Sequence, residues 1–135
     1  MKNIIKYYFI TLLLVLSYGC NGSDSVEQLT EGYFLRIESK NINDILSNGK
    51  GKQEIQANVI RYNYNNNFII AEQKPNKTDD PLYEKTYDYK KGRNYIYYWI
   101  IIIKNDSLLG PLSKFEFEQE KIKNKIPKDL ILKKI

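Results

Sequence analysis

The chain has 135 residues, with 21 lysines and arginines against 16 aspartates and glutamates, one cysteine and no histidine. The lack of histidine excludes Ser-His triads, Cys-His pairs and histidine-based zinc or iron sites, and a single cysteine excludes an internal disulfide. The net charge of +5 includes Lys2 and Lys6, and without them it falls to +3, which is too mild to indicate a nucleic-acid partner.

The first twenty residues predict an export signal that ends at a lipid-attachment site. Lys2 and Lys6 precede a short apolar run, and Gly19 supplies the small residue that a signal peptidase needs next to Cys20. The run has about half of the roughly 20 apolar residues that a helix needs to cross a bilayer. We therefore expect residues 1–19 to be a lipoprotein signal peptide that is removed, and Cys20 to be diacylated. The alternative is an ordinary secretory signal with a chance cysteine.

A lipid on Cys20 would hold the protein outside the cytoplasm, on the cell membrane or outer membrane of a bacterium, because two acyl chains bind a bilayer stably. Residues 20–31 are then expected to be the lipidated N-terminus and a polar tether without strand or helix periodicity. The eleven residues that follow Cys20, residues 21–31, span about 18 Å as a coil. Residues 32–135 have the length of a single globular domain.

The first half of this domain predicts strands separated by turns. Apolar and polar side chains alternate at the end of residues 32–38, as they do in a strand. Asn41–Leu46 favours a helical turn. Two further strand-like runs, Ile55–Tyr64 and Phe68–Gln73, flank three asparagines. Asparagine tolerates the left-handed backbone of a tight turn, so these runs predict a hairpin.

The middle of the domain predicts a long loop followed by a central strand. Residues 74–94 are polar, with a short edge strand expected at Tyr87–Tyr89. Tyr95–Ile103 is β-branched and aromatic throughout, and both of its faces are apolar, which is typical of a strand covered on both sides. After a turn, Leu108-Leu109 is expected to begin an antiparallel strand beside it, and Gly110-Pro111 is expected to stop the pairing.

One main helix is predicted to begin after Ser113, because Ser113 and Glu116 have capping-box spacing. Pro127 is expected to end it. An apolar stripe at helical spacing predicts the buried face and leaves Phe117 outside it. The stripe consists of Leu112, Phe115, Ile122 and Ile126. A competing interpretation makes residues 115–118 a strand.

The last residues complete an α+β fold. Leu130–Leu132 is expected to return as an edge strand guarded by Lys133 and Lys134. The prediction is thus a small antiparallel β-sheet with one main C-terminal helix packed on it.

Several short motifs follow one another in the C-terminal half. They are Tyr98-Trp99-Ile100-Ile101, Gly110-Pro111-Leu112-Ser113, Phe115-Glu116-Phe117 and Ile126-Pro127, and Val59–Ala71 supplies an earlier hairpin. This order resembles a family of small bacterial lipoproteins classed as a domain of unknown function. The resemblance covers most of residues 32–132. It implies location and architecture, and it transfers no activity and no functional residues.

Paired carboxylates are the catalytic option that composition leaves open, and each candidate is expected to be a solvated charge. The candidates are Asp79, Asp80, Glu84, Asp88, Glu116, Glu118 and Glu120. Asp79 and Asp80 with Asn76 and Thr78 are an alternative calcium site, but they lack the alternating oxygens and turn glycine of an EF-hand loop. We therefore predict no enzyme activity, no cofactor and no metal.

Two surface features are candidates for binding. The first is an aromatic face made of Tyr87, Tyr89, Tyr95, Tyr97 and Trp99, whose side chains are typical of interface hot spots. The competing interpretation is that these rings cap the core under residues 74–94. The second is a basic region made of Lys121, Lys123, Lys125, Lys128, Lys133 and Lys134. It complements the helix dipole, with contact to an anionic membrane surface or cell-wall polymer as the alternative.

Three functional hypotheses follow. The first is a membrane-anchored, non-catalytic envelope protein that binds an envelope protein or cell-wall polymer and no nucleic acid. The second is an immunity or inhibitor lipoprotein that acts against an exported toxin or hydrolase. The third is a glycan-active enzyme that uses two carboxylates.

Overall fold

A computed structural model describes residues 24–39 and 42–135. A first antiparallel sheet consists of β1 (Ser25–Gln28), β2 (Tyr33–Ser39) and β3 (Ile42–Ser47), in that order. The second sheet contains β4 (Val59–Tyr64), β5 (Phe68–Gln73), β6 (Tyr97–Ile102), β7 (Ser107–Leu112) and β8 (Lys133–Lys134). Its order is β7-β6-β5-β4-β8. The helix α1 (Lys114–Lys123) follows β7, and a 3-10 turn at Ile103–Asn105 follows β6.

The second sheet lies between the first sheet and the helix. On one face, Trp99 and Ile101 of β6 belong to the same buried cluster as Leu35 and Ile45 of the first sheet. On the other face, Ile100 packs in a cluster with Phe117 of α1. Both faces of β6 are therefore covered, which confirms the predicted central strand and the α+β class, with two sheets in place of the single one expected.

The hairpin of β4 and β5 is also confirmed. The backbone N–H of Asn65 donates to the Phe68 carbonyl at 2.9 Å, and the Asn65 side chain accepts from the backbone N–H groups of Asn67 and Phe68 at 2.9 Å each. The strand β4 begins at Val59, however, because Ile55 pairs with Ile45 of the other sheet as an isolated bridge. The predicted strand from Ile55 is thus divided between the two sheets.

Two predictions for the N-terminal part are wrong. The helical turn predicted over Asn41–Leu46 is replaced from Ile42 onward by a strand, because Ile42–Ser47 pairs with β2 and Asp44 forms a cross-strand ion pair with Arg36, and Asn41 lies outside the described residues. Within the expected tether, Ser25–Gln28 is a strand paired with β2, with all four side chains exposed. The polar composition of Ser25–Gln28 gave no strand signal. The strand forms because the free edge of β2 supplies backbone hydrogen bonds whatever the side chains are.

Three further strand predictions need correction. Tyr87–Tyr89 lies outside any strand. Gly110-Pro111 does not stop the pairing, because β7 continues through it with a register shift opposite Tyr98 and Ile100. The edge strand expected at Leu130–Leu132 is instead Lys133–Lys134, which pairs with Arg61 and Tyr62 of β4, and Leu130 is buried under α1.

The predicted helix start is confirmed, but the predicted buried face is wrong. The Ser113 backbone N–H donates to the Glu116 carboxylate at 2.7 Å, and the Glu116 N–H donates to Ser113 Oγ at 3.3 Å, as a capping box requires. Phe117 is 2% exposed, whereas Phe115 and Ile122 are 74% and 73% exposed. The Phe117 ring stacks on Tyr98 with centroids 5.1 Å apart, and this contact sets the helix rotation.

The predicted stripe was wrong because two of its four residues lie outside the helix. Leu112 belongs to β7, and Ile126 follows the end of α1. The helix ends at Lys123, before Pro127, and Lys125 has a positive φ of 55°. Within residues 24–39 and 42–135, no helix has the length and apolar character to span a membrane.

Candidate functional site

The long polar segment 74–94 is fixed to the core by buried hydrogen bonds. The Gln73 side chain is fully buried, and its amide nitrogen donates to the Gln56 carbonyl at 2.8 Å and to the Tyr89 hydroxyl at 3.1 Å. Its carbonyl oxygen accepts from the Trp99 indole N–H at 2.7 Å. Tyr87 donates to the Glu54 carbonyl at 2.8 Å. These bonds carry the segment over the inner face of the second sheet.

Four of the five aromatic residues predicted as a binding face lie in or against this core. Tyr89, Tyr97 and Trp99 are buried, and Tyr87 packs edge-to-face on Trp99 with ring centroids 4.7 Å apart. Burial raises the pKa of both Tyr87 and Tyr89. The arrangement matches the competing interpretation, in which the rings cap the core under residues 74–94. Tyr95 differs from the others, because it is 56% exposed.

Tyr95 lies in a groove of about 610 Å³ between the start of β6 and the start of α1, which we call the Tyr95 groove. Its lining includes Lys90, Lys91, Tyr95, Ile96, Pro111, Lys114 and Glu116. The buried Tyr97 hydroxyl supports one wall, since it accepts from the Lys91 N–H at 3.0 Å and donates to the Gly92 carbonyl at 2.9 Å. The exposed Tyr95 and Ile96 therefore project from a backbone that is held in place.

The Tyr95 groove is positively charged at its rim. Lys90, Lys91 and Lys114 are exposed, and Glu116 is the one carboxylate that lines the groove. That carboxylate is engaged by the Ser113 backbone N–H, and this hydrogen bond lowers the pKa of Glu116. Exposed aromatic and aliphatic groups beside lysines provide contact area together with attraction for anionic groups.

A second groove, of about 330 Å³, lies on the outer side of the first sheet. Arg36 lines it, but its guanidinium bonds both Asp44 oxygens at 3.0 and 2.6 Å and Glu38 at 2.9 Å. Tyr83 donates to the fully buried Asp44 at 2.7 Å, and burial raises the pKa of Tyr83. Because the arginine is already neutralised, this network fastens the loop to the sheet and offers no free charge to a ligand.

The sequence analysis missed the network of Arg36, Asp44 and Tyr83, as it missed the Tyr95 groove. Arg36 and Asp44 lie eight residues apart on neighbouring strands, Tyr83 lies 39 residues beyond Asp44, and the three carry no motif, so no local signal marks them. In the Tyr95 groove, the paired lysines at 90 and 91 next to an aromatic strand were the available signal.

Three of the candidate carboxylates, Asp79, Glu118 and Glu120, pair with basic side chains of the protein. Asp79 pairs with Arg93, whose guanidinium also donates to the Asn76 carbonyl at 3.0 Å, so a cation of the protein itself occupies the position considered for calcium. Glu118 and Glu120 form surface pairs with Lys121 and Lys123 at 3.7 and 3.3 Å. In the described part of the chain, no group of three metal-ligating side chains is present.

The predicted lipidation site at Cys20 and the cleavage point after Gly19 lie outside the described residues.

A family model described as "Protein of unknown function (DUF3997)" matches residues 30–135, which include every strand from β2 onward and the helix. No curated protein matches the chain, and no solved structure does.

Proposed function

The chain belongs to the DUF3997 family of proteins of unknown function, and we propose that it is a non-catalytic bacterial envelope lipoprotein. In this proposal, Cys20 carries the lipid that anchors the protein outside the cytoplasm. The domain binds an acidic segment of an envelope partner in the Tyr95 groove.

The anchor is supported by the arrangement of residues around Cys20. The only cysteine of the chain directly follows Gly19, at the end of a basic and then apolar segment. This ending resembles the lipobox of bacterial lipoproteins at Gly19 and Cys20 and departs from it at Ser17, because the leucine usually found three places before the cysteine lies four places before it, at Leu16. Diacylation would provide stable attachment without any contribution from the folded domain.

The exposure of Tyr95 beside three lysines is the observation that carries the binding part of the proposal. Tyr95 and Ile96 are exposed although they directly precede a buried strand, and the groove is lined by three lysines and a single carboxylate, Glu116, so its lining stays net positive. Aromatic side chains lose few rotamers on binding, and truncation of an interface hot spot costs about 2 kcal/mol or more. The chemistry of the groove selects a partner segment that carries carboxylates or phosphates.

Metabolic labelling with a fatty-acid analogue tests the anchor. The wild type is expected to carry the label and to lack residues 1–19 by mass spectrometry, and Cys20→Ser is expected to lose the label. Equal labelling of the serine variant would refute the anchor.

Capture of partners by the lipidated protein tests the groove. Proteins cross-linked in the native envelope are identified by mass spectrometry for the wild type, for Tyr95→Ser and for Leu82→Ser. Leu82 is a matched control, because it is exposed and lies outside the Tyr95 groove. A specific partner should be retained by Leu82→Ser and bound at least about 30-fold more weakly by Tyr95→Ser, which corresponds to about 2 kcal/mol. Equal capture by both variants would contradict a role for the groove.

A further inference from the structure

The positive charge of the domain is concentrated at one end of the sequence. Residues 121–135 contain six lysines and one aspartate, a net charge of +5, whereas residues 24–120 contain thirteen basic and fifteen acidic residues, a net charge of −2. We call residues 121–135 the basic strip. Lys121 and Lys123 pair with Glu118 and Glu120 of α1, so the lysines that face an anionic partner are the exposed Lys125, Lys128, Lys133 and Lys134.

The basic strip also exposes aliphatic side chains among its lysines. Ile122, Ile131 and Ile135 are 73%, 57% and 45% exposed, and Lys133 and Lys134 are exposed beside them. A purely polar polymer offers no apolar groups that could contact the exposed isoleucine side chains. Lysines interspersed with exposed aliphatic groups are typical of protein surfaces that lie in the headgroup region of an anionic bilayer.

The fold places the end of the basic strip beside β1. Strand β8 pairs with β4 at the edge of the second sheet, and Tyr62 of β4 donates to Glu27 of β1 at 2.5 Å. A cavity of about 460 Å³ is lined by Glu27, Tyr62, Lys133 and Lys134. The lysines of β8 therefore lie on the side of the molecule that contains β1.

The length of chain between the proposed lipid and β1 limits the orientation of the domain. Five peptide steps separate Cys20 from Ser25, and a fully extended chain covers about 18 Å in that distance. A domain of about 100 residues has a radius of gyration of about 13 Å and is thus about 33 Å across. A connection shorter than the domain keeps the side that contains β1 and β8 towards the bilayer.

We propose that the basic strip lies against anionic lipid headgroups, with Ile131 and Ile135 in the interfacial region and Lys133 and Lys134 paired with lipid phosphates. This inference rests on the proposed anchor at Cys20. The Tyr95 groove lies at β6 and α1, three and more strand spacings from β8 in the sheet order. With spacings of about 4.8 Å, the groove is about 14 Å or more from the lipid-facing edge and accessible to a partner.

Site-directed labels in the lipidated full-length protein test the orientation. Lipid on the Cys20 sulfur leaves no free thiol, so a cysteine introduced at Lys134, or at Lys91 as a matched exposed lysine of the Tyr95 groove, carries a nitroxide alone. The proteins are reconstituted into phosphatidylcholine vesicles with or without phosphatidylglycerol. Collision with a water-soluble relaxation agent is measured for each label.

The label at Lys134 is expected to be shielded from the aqueous agent in vesicles that contain phosphatidylglycerol, and the label at Lys91 to stay accessible. With a label at Ile131, replacement of both Lys133 and Lys134 by glutamine should remove most of the shielding. Each lysine near an anionic surface contributes about 1 kcal/mol, so the two together change the ratio of docked to undocked domain about 30-fold. The matched pair Lys90→Gln and Lys91→Gln should leave the shielding unchanged.

The outcomes separate the two proposals. Protein that floats with the vesicles while its Lys134 label is as accessible as its Lys91 label overturns the docking of the basic strip and leaves the anchor standing. Protein that carries no lipid and does not float overturns the anchor and, with it, this inference. Shielding that is equal with and without phosphatidylglycerol overturns the role assigned to the lysines.

Discussion

Replacement of Phe117 by alanine should strongly destabilise the domain, whereas the same change at Phe115 should have almost no effect. Phe117 is 2% exposed and packs with Ile100 and Leu130, with its ring stacked on Tyr98. Truncation of a buried phenylalanine costs about 3 to 5 kcal/mol, since it removes apolar burial and leaves a cavity. Phe115 is 74% exposed on the same helix, and exposed substitutions change stability by about 0.5 kcal/mol or less.

Urea unfolding of residues 24–135, followed by far-ultraviolet circular dichroism, measures both effects. With a slope of about 2 kcal/mol per molar, Phe117→Ala should lower the midpoint by about 2 M, and Phe115→Ala by no more than about 0.3 M. Both substitutions remove the same side chain from one helix and so change helix propensity equally. If Phe115→Ala were the more damaging variant, the helix rotation described above would be incorrect.

Two further predictions concern packing and pH. Gly110→Ala should lose about 1 to 3 kcal/mol more stability than Gly92→Ala in thermal unfolding, because both glycines have positive φ but only at Gly110 would a Cβ lie 2.2 Å from the Trp99 ring; equal losses would contradict the close packing. The second follows from the lowered pKa of Glu116, whose carboxylate accepts from Ser113. A lowered folded-state pKa adds stability above the ordinary value of 4.5 and loses it as the pH falls through the folded-state value. The difference in Tm between wild type and Glu116→Gln should therefore be positive at about pH 7 and shrink in acid, and a difference independent of pH would count against the capping carboxylate.

Elements with a complete local signal were predictable from the sequence. The hairpin of β4 and β5 depends on Asn65, whose side chain bonds the backbone within three residues. The helix start depends on the reciprocal bonds of Ser113 and Glu116, which are also local. Strand β6 has a run of apolar residues that suits coverage on both faces.

Features set by side-chain contacts between different elements were not predictable. Strand β3 has weak β-propensity over Asn43 and Asp44, and the cross-strand bond of Asp44 with Arg36 compensates for it. The buried positions of Tyr87 and Tyr89 depend on Glu54 and Gln73. Of the predicted aromatic face, Tyr95 remains as a surface residue, because it precedes the point where β6 enters the sheet.

If Cys20 carries the proposed lipid, the exposed strand β1 makes the distance between the bilayer and the domain adjustable. Its four side chains are exposed, and its backbone pairs only with β2 at the edge of the first sheet. Segments held by few buried contacts open at low free energy. Detachment of Ser25–Gln28 under a pull from the bilayer would add four residues to the connection and extend its limit from about 18 Å to about 32 Å. The strands of the second sheet would stay paired, so the domain would reach a partner farther from the bilayer with the loss of β1 alone.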